Sequence, residues 1–398
     1  MRWRVALFAC LLAGLVFPLP ASALGPSGLR ARLTRDMNHA GRYSGAYVVD
    51  LNTNRTLFSW RGDVARSPAS VEKLYTTSTA LLRFGPAASF TTSLAGTTTA
   101  GPDGIYRGDL WLRGDGDPSL TTGRLAQIAA QVAALGITSI HGAIVGDESK
   151  FDGLRGSYDS GYRLDSYIGE LGGLVVNEGF DTHGHFQYSP ARYAAQQLAA
   201  ALKRAGVKVT GASRRGTAPA DAQPLVVAAS VPMSQLVAMT NVPSDNYFAE
   251  TLVKNLGAAF GGSGTTPAGV AVVRAQMAKF AGVHPRIVDG SGLSLLDRFT
   301  ANALVSLLTV MWNDPGVRPE LLAALPVAGR SGTLVHRMRG TAAAGVVLAK
   351  TGTTSNASAL SGFVGDRYVF SILQNGWPLS WDWARLAQDR FAAVLASQ

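Results

Sequence analysis

Ser70 and Lys73 stand three residues apart at the start of a segment that reads as a helix, a spacing that puts a hydroxyl and an amine on one face. A serine hydroxyl becomes a useful nucleophile when a base takes its proton, and an amine is such a base once it is neutral. For Lys73 this means a pKa brought from about 10.4 toward 7, a differential of roughly 4–5 kcal/mol between the charged and neutral forms. Burial and a second cation can supply it, and Lys350 is the natural neighbouring cation. The start of a helix also offers free backbone N–H groups and positive potential beside Ser70. These would stabilise the oxyanion that forms when Ser70 attacks a carbonyl. The chemistry is acyl transfer, and it needs no histidine or aspartate partner for the nucleophile.

Two more short clusters follow in order, Ser244-Asp245-Asn246 and Lys350-Thr351-Gly352. Lys73 is the only lysine with a serine three residues before it, and Asn246 the only asparagine with a serine two before it. Each cluster is common alone. The ordered set is specific.

Several elements must position these residues. Tyr43 to Trp60 reads as a hairpin with its turn at Asn52-Thr53-Asn54. Ser67-Pro68-Ala69 then starts a helix that runs from Ser70 to Phe84, with Gly85 closing it. Phe90 to Val227 has a different texture: short strand-like runs (Phe90–Leu94, Asp109–Leu112, Ser139–Val145), Gly- and Asp-rich turns, and helices at Leu125–Leu135 and Arg192–Ala205. It reads as an α+β unit inserted into the first, because the clusters resume after it. Beyond Pro232 the pattern is helical at Ser234–Met239, Tyr247–Leu256, Ala268–Phe280 and Ala301–Trp312. Strands return at Val346–Lys350, Ala359–Val364 and Tyr368–Leu373, before a last helix from Trp381 to Leu395. Strands from both ends of the chain can form one antiparallel sheet, so the fold class is α+β.

Bulk properties narrow the setting. Arg2 and Arg4, the apolar run Val5–Leu19 and the small residues Ala21-Ser22-Ala23 read as a secretory signal over residues 1–23, cleaved near Ala23. The expected location is therefore exported, in periplasm or cell wall. Cys10, the only cysteine, lies in that signal, which excludes disulfides and Cys-ligated metals from the exported protein. With 47% hydrophobic and 16% charged residues, the chain can bury sizeable cores, and its length calls for two structural units. The net charge of +10 fits loose association with a membrane surface or anionic wall polymers. Without a concentrated Lys/Arg stripe, an exported chain is not expected to bind nucleic acid.

The motif set Ser-x-x-Lys, Ser-Asp-Asn and Lys-Thr-Gly resembles that of penicillin-binding proteins and class A β-lactamases. Further segments sharpen the resemblance: Ser67-Pro68-Ala69-Ser70, the turn Gly114–Leu120, Asp289-Gly290-Ser291-Gly292-Leu293-Ser294, Leu325–Gly329 with Gly332-Thr333-Leu334, Ala349–Thr353 and Leu360–Val364. Together they look like the D-alanyl-D-alanine carboxypeptidase/endopeptidase family of low-molecular-mass class C penicillin-binding proteins, peptidase family S13. The resemblance implies a penicillin-binding/β-lactamase-like transpeptidase fold, an antiparallel sheet flanked by helices, with an inserted α+β domain. On that reading residues 24–88 and 228–398 form the catalytic domain, and 89–227 the insertion.

It implies roles too. Ser70 is the nucleophile, Lys73 its base, and Ser244 relays a proton between Lys73 and the leaving amine. Asn246 binds the substrate backbone, while Lys350, Thr351 and Thr353 bind the terminal carboxylate. The backbone N–H groups of Ser70 and Thr353 form the oxyanion hole. The substrates are peptidoglycan stem peptides ending in D-Ala–D-Ala, sometimes peptide cross-links, and β-lactams acylate Ser70. No cofactor or metal is implied. Asp159 or Asp165 could recognise a cationic third stem residue. The chain departs from the family in a shorter insertion and in Thr353-Thr354-Ser355-Asn356, where many members read Ser-Leu-Thr-Gly.

Other clusters read as structural. His183-Gly184-His185 with Asp181 lacks a further spaced ligand for zinc. Asp115 and Asp117 cap a Gly/Pro turn, and Asp289-Gly290-Ser291-Gly292 makes a tight backbone passage near the cleft. Two rival functions are a β-lactamase on the same scaffold and a catalytically quiet wall-binding protein. Against the first, no Glu is identifiable that could position a deacylating water. Against the second, the motifs are intact.

Overall fold

The computed structural model describes residues 24–280 and 282–398. The signal expected at residues 1–23 lies outside the described residues. The first element, α1 (Pro26–His39), has Pro26 in its first turn, where a missing N–H costs nothing. Its narrow apolar stripe of Leu29, Leu33 and Met37 is buried. The expected hairpin follows as β1 (Ser44–Asp50) and β2 (Arg55–Trp60), with the Asp50 carboxylate accepting the Asn52 and Thr53 N–H groups in the turn. A short 3-10 turn, Ala69–Glu72, then leads into α2 (Lys73–Phe84), which Gly85 ends at φ +86°.

The chain next builds two smaller sheets. Their elements are β3 (Thr91–Gly96), β4 (Ile105–Arg107), β5 (Leu110–Gly114), α3 (Thr122–Ala134), β6 (Ser139–His141), β7 (Ile144–Asp147), α4 (Pro190–Arg204), β8 (Lys208–Val209), β9 (Arg214–Arg215) and β10 (Gln223–Ala229). One sheet has the order β10-β3-β5-β7-β9, the other β4-β6-β8. The single run expected at Ser139–Val145 is therefore two strands in two sheets. At Gly142 the chain crosses between them, and a Cβ there would collide with the Gly108 carbonyl. Apolar residues of α3 and α4, among them Ile128, Val132, Leu198 and Leu202, close a core over these strands.

The last third returns to helices: α5 (Met233–Asn241), α6 (Asn246–Phe260), α7 (Thr266–Met277), α8 (Ala301–Asn313) and α9 (Arg318–Ala323). The strands β11 (Val347–Thr353), β12 (Ala357–Val364) and β13 (Tyr368–Asn375) precede α10 (Trp381–Ala396). The five-stranded antiparallel sheet runs β11-β12-β13-β1-β2, with Ser44 opposite Gln374 and Asp50 opposite Tyr368. Every residue of β12 is buried because both faces are covered. Tyr368, Phe370 and Ile372 pack with Leu33 of α1 and Phe391 of α10 on one side. Val369 and Leu373 alternate to the other, in the core that holds Leu304 and Leu308 of α8. That second core also takes Ile168, Leu171 and Val175, which tie the loop after β7 to the helices around α2 and α6.

Candidate active site

The nucleophile candidate sits where three backbone segments converge. Ala69 has φ +49°, an uncommon conformation for a residue with a Cβ, and it turns the chain into the 3-10 turn that carries Ser70. The sequence places Ser70 in the first turn of the α-helix; the structure puts it one short 3-10 turn earlier. With three residues per turn, positions i and i+3 eclipse, which brings the pair together more closely than an α-helix does. Lys73 Nζ lies 3.0 Å from Ser70 Oγ. Strand β11 passes beside this turn so closely that a Cβ on Gly352 would lie 2.7 Å from the Pro68 carbonyl oxygen and 3.1 Å from Ser70 N. From the other side Gly292, at φ +76°, fits against the Ala69 carbonyl.

Lys73 is fully buried and makes two further hydrogen bonds, each of 2.7 Å, to Asn246 Oδ1 and to the Ser291 carbonyl. In the neutral amine two N–H bonds satisfy these two carbonyl oxygens and the lone pair is left facing Ser70. Burial lowers the Lys73 pKa to about 8, against the carboxylates of Glu72, Asp289, Glu250 and Asp245, which pull it upward. Desolvation is thus the main agent, where the sequence reading gave Lys350 a share. Lys350 is itself pushed well below the usual lysine range, by its burial and then by the charge of Lys73.

Asp245 explains the local form of the second cluster. Its carboxylate caps α6 by accepting the Phe248 N–H at 2.9 Å, so Asn246 becomes the first helical residue and Ser244 is held at φ +67° just ahead of it. Ser244 Oγ accepts a 2.7 Å hydrogen bond from Lys350 Nζ, which also donates to the Thr351 carbonyl. Thr351 Oγ1 donates to Thr333 Oγ1 at 2.7 Å. Thr353 ends β11, half-buried. Ser70, Lys73, Ser244, Asn246, Lys350 and Thr351 are therefore linked by direct bonds or by adjacency, and the β11 backbone brings Thr353 alongside.

Three partners in this site escaped the sequence reading as individual residues. Ser291 contributes its carbonyl to Lys73, a role beyond the tight passage expected of its segment. Thr333 orients Thr351. Tyr167, from the loop after β7, accepts the Asn246 Nδ2–H on its backbone carbonyl at 3.0 Å. Behind Lys73 lies a fourth feature, a cluster of buried acids. Asp289 accepts the Gly292 and Ser294 N–H groups, and Glu250 accepts that of Gly290. Glu72 Oε1 and the Gly290 carbonyl each lie 3.0 Å from Thr76 Oγ1. That hydroxyl has one proton, so both contacts are satisfied when Glu72 is protonated and donates to Thr76. Burial and the neighbouring acids push Glu72 well above the usual carboxylate range and Glu250 to about 7. Both are fully buried, so neither presents a carboxylate to a water in the cleft.

Asp165, Asp181 and Asp117 serve local turns, whereas Asp159 and Asp115 bond to distant segments, so Asp115 is not the turn cap expected of it. Asp165 accepts the Tyr167 N–H, and Asp159 reaches the Leu295 N–H at 3.4 Å. Asp181 accepts the backbone N–H groups of His183 and His185. Asp117 caps the Ser119 turn, while Asp115 accepts a hydrogen bond from Thr91. Among the described residues no group of three or more His, Cys, Asp or Glu side chains is placed to hold a metal ion.

A serine paired with a buried lysine, set against the edge of an antiparallel sheet, defines a serine acyl-transfer enzyme of the penicillin-binding/β-lactamase-like class. Residues 29–168 and 171–398 match the D-Ala-D-Ala carboxypeptidase 3 (S13) family, and the chain belongs to that family. It is 32% identical over 423 residues to a D-alanyl-D-alanine carboxypeptidase of Actinomadura sp. (strain R39), covering 84% of this chain and 78% of the relative. It is 30% identical to the carboxypeptidase DacB of Mycolicibacterium smegmatis, covering 88% and 79%. Among solved structures, penicillin binding protein 4 (dacB) from Haemophilus influenzae superposes with a TM-score of 0.76 at 21% identity, over 91% of this chain and 98% of that one. The protein is thus a hydrolase of the D-Ala-D-Ala carboxypeptidase type.

Proposed function

We propose that Ser70 is the nucleophile of this carboxypeptidase and that neutral Lys73 activates it. The observation that carries the assignment is the trio of Lys73 contacts, two to carbonyl oxygens and the third to Ser70 Oγ. The Ser70 proton passes to Lys73 as Oγ bonds to the carbonyl carbon of the D-Ala–D-Ala link. The C–N bond then breaks and the leaving amine takes a proton through Ser244, which Lys350 holds in place. Water hydrolyses the resulting ester and restores Ser70. The N–H groups of Ser70 and Thr353 bind the oxyanion, typically worth ~10²–10³ in rate per donor. Lys350, Thr351 and Thr353 receive the substrate carboxylate, and Asn246 the peptide backbone.

In this reading the substrate is a peptidoglycan stem peptide outside the cytoplasm, reached after cleavage of the signal near Ala23. Residues 24–88 and 228–398 act as the catalytic domain and 89–227 as an inserted one. β-Lactams acylate Ser70, and cross-links whose acyl side ends in D-Ala are cleaved by the same steps. The full burial of Glu72 and Glu250 behind Lys73 favours slow deacylation, hence a peptidase over a β-lactamase. Labelled penicillin should form a persistent adduct on Ser70, and a pentapeptide should lose one D-alanine. Both should vanish in Ser70→Ala. Rapid turnover of penicillin to penicilloate would defeat the peptidase assignment, and survival of either activity in Ser70→Ala would remove Ser70.

A further inference from the structure

Beyond Thr353, at the turn between β11 and β12, lies a groove of about 350 Å³ lined by Ser355, Trp377, Pro378, Leu379, Trp381 and Asp382. Trp377 is 81% exposed and Trp381 45%, far more than a large aromatic side chain normally leaves in water. The Trp381 ring is fixed in place, because its Nε1–H donates to the Thr354 carbonyl at 3.0 Å. The groove is joined to the candidate site on a second side: Asn375, two residues before Trp377, donates to the Ser67 carbonyl and accepts the Ser67 N–H, three residues before Ser70.

We propose that this groove binds the sugar backbone of the wall polymer from which the stem peptide hangs. The inference rests on the carboxypeptidase reading above, which sets the direction of the peptide. Lys350 and Thr351 take its carboxylate end and the Thr353 N–H faces the scissile carbonyl, so the part leading back to the sugar continues past Thr353. That is where the tryptophans stand. A pyranose ring has apolar C–H faces and a rim of hydroxyls. The groove matches it with flat indole walls and with Ser355 and Asp382 as hydrogen-bonding groups, the usual combination of apolar lining and a few polar contacts in a ligand site. Asp382 also decides against an anionic lipid surface as the occupant, since it would carry negative charge to negative head groups.

The test compares release of D-alanine from a free pentapeptide and from the same pentapeptide carried on a disaccharide of N-acetylglucosamine and N-acetylmuramic acid. In the wild-type protein kcat/KM should be about tenfold higher for the disaccharide form, the scale of one well-packed aromatic contact, and the gain should appear in KM. In Trp377→Ala the ratio between the two substrates should fall to about one. Penicillin labelling of Ser70 in the variant verifies that the catalytic fold is intact. A wild-type ratio near one, or a tenfold ratio that Trp377→Ala leaves unchanged, overturns the proposal. Trp377-dependent sedimentation with anionic lipid vesicles, with a substrate ratio of one, would give the groove to a membrane instead. No release from either substrate would strike the carboxypeptidase reading, which keeps the two failures apart.

Discussion

Gly352→Ala puts the candidate oxyanion site under direct strain. The new Cβ would stand 2.7 Å from the Pro68 carbonyl oxygen, 3.1 Å from Ser70 N and 3.2 Å from Ala69 Cβ. Ordinary contact begins at 3.4 Å, so β11 and the Ser70 turn must part by about 0.7 Å. Neither side yields easily. Gly352 is paired with Ala359 of the fully buried β12, and the turn is fixed by Gly292 against Ala69. The parting separates the two N–H groups assigned to the oxyanion, and a misplacement approaching 1 Å typically costs ~10²-fold. Loss of one donor costs ~10²–10³. The acylation rate with labelled penicillin should fall about 10²-fold or more, whereas overpacking should cost only about 1–3 kcal/mol of stability. Thermal unfolding and the acylation time course, measured on the same sample, separate the two effects. A folded Gly352→Ala protein that acylates within about threefold of wild type would refute the close packing of β11 on Ser70 as the basis of the site.

Acylation should also depend on pH through Lys73. With a pKa of about 8, the lysine is mostly protonated at neutral pH and its base form grows as pH rises. The rate constant should climb about tenfold per unit up to pH 8 and then level; a flat profile from pH 6 to 9 would exclude a titrating Lys73 base. Glu72→Gln should keep activity within about threefold, because the amide can still donate to Thr76. A protonated Glu72 puts no charge beside Lys73, so its replacement should leave the acid limb in place. A shift of the limb to lower pH would show that Glu72 is ionised, since an ionised Glu72 raises the Lys73 pKa, and that it is not acting as a proton-bearing donor.

Much of this was legible because the chemistry is local. Ser70 and Lys73 share a turn, and Asp245 caps a helix that starts at the next residue, so four-residue patterns carry their own geometry. The C-terminal strands show as dense apolar runs because both their faces are buried. Other parts depend on context that composition hides. Helix α1 buries only Leu29, Leu33, Met37 and Asp36 among arginines, too narrow a stripe to stand out. Strand β10 contains Pro224 at a register shift and mostly exposed residues. The same holds at the site. Glu72 and Glu250 look like ordinary solvent-facing helix residues, and only the packing of α2, α6 and the Asp289 segment makes them a buried acid cluster. The contributions of Ser291 and Tyr167 are backbone carbonyls, which no side-chain pattern can announce.

The pairing of β1 with β13 joins residues 44–50 to residues 368–374, across nearly the whole chain. Loop closure over such a span is slow, and it cannot begin until the last strands exist. Ser70 is made early, but the strand that lies against it, and the Lys350 that holds Ser244, come after residue 346. A chain interrupted during synthesis therefore carries the proposed nucleophile without the strand edge that completes its site. With Ser70 and Lys350 in the roles proposed above, hydrolytic capacity would be switched on by completion of the sheet itself.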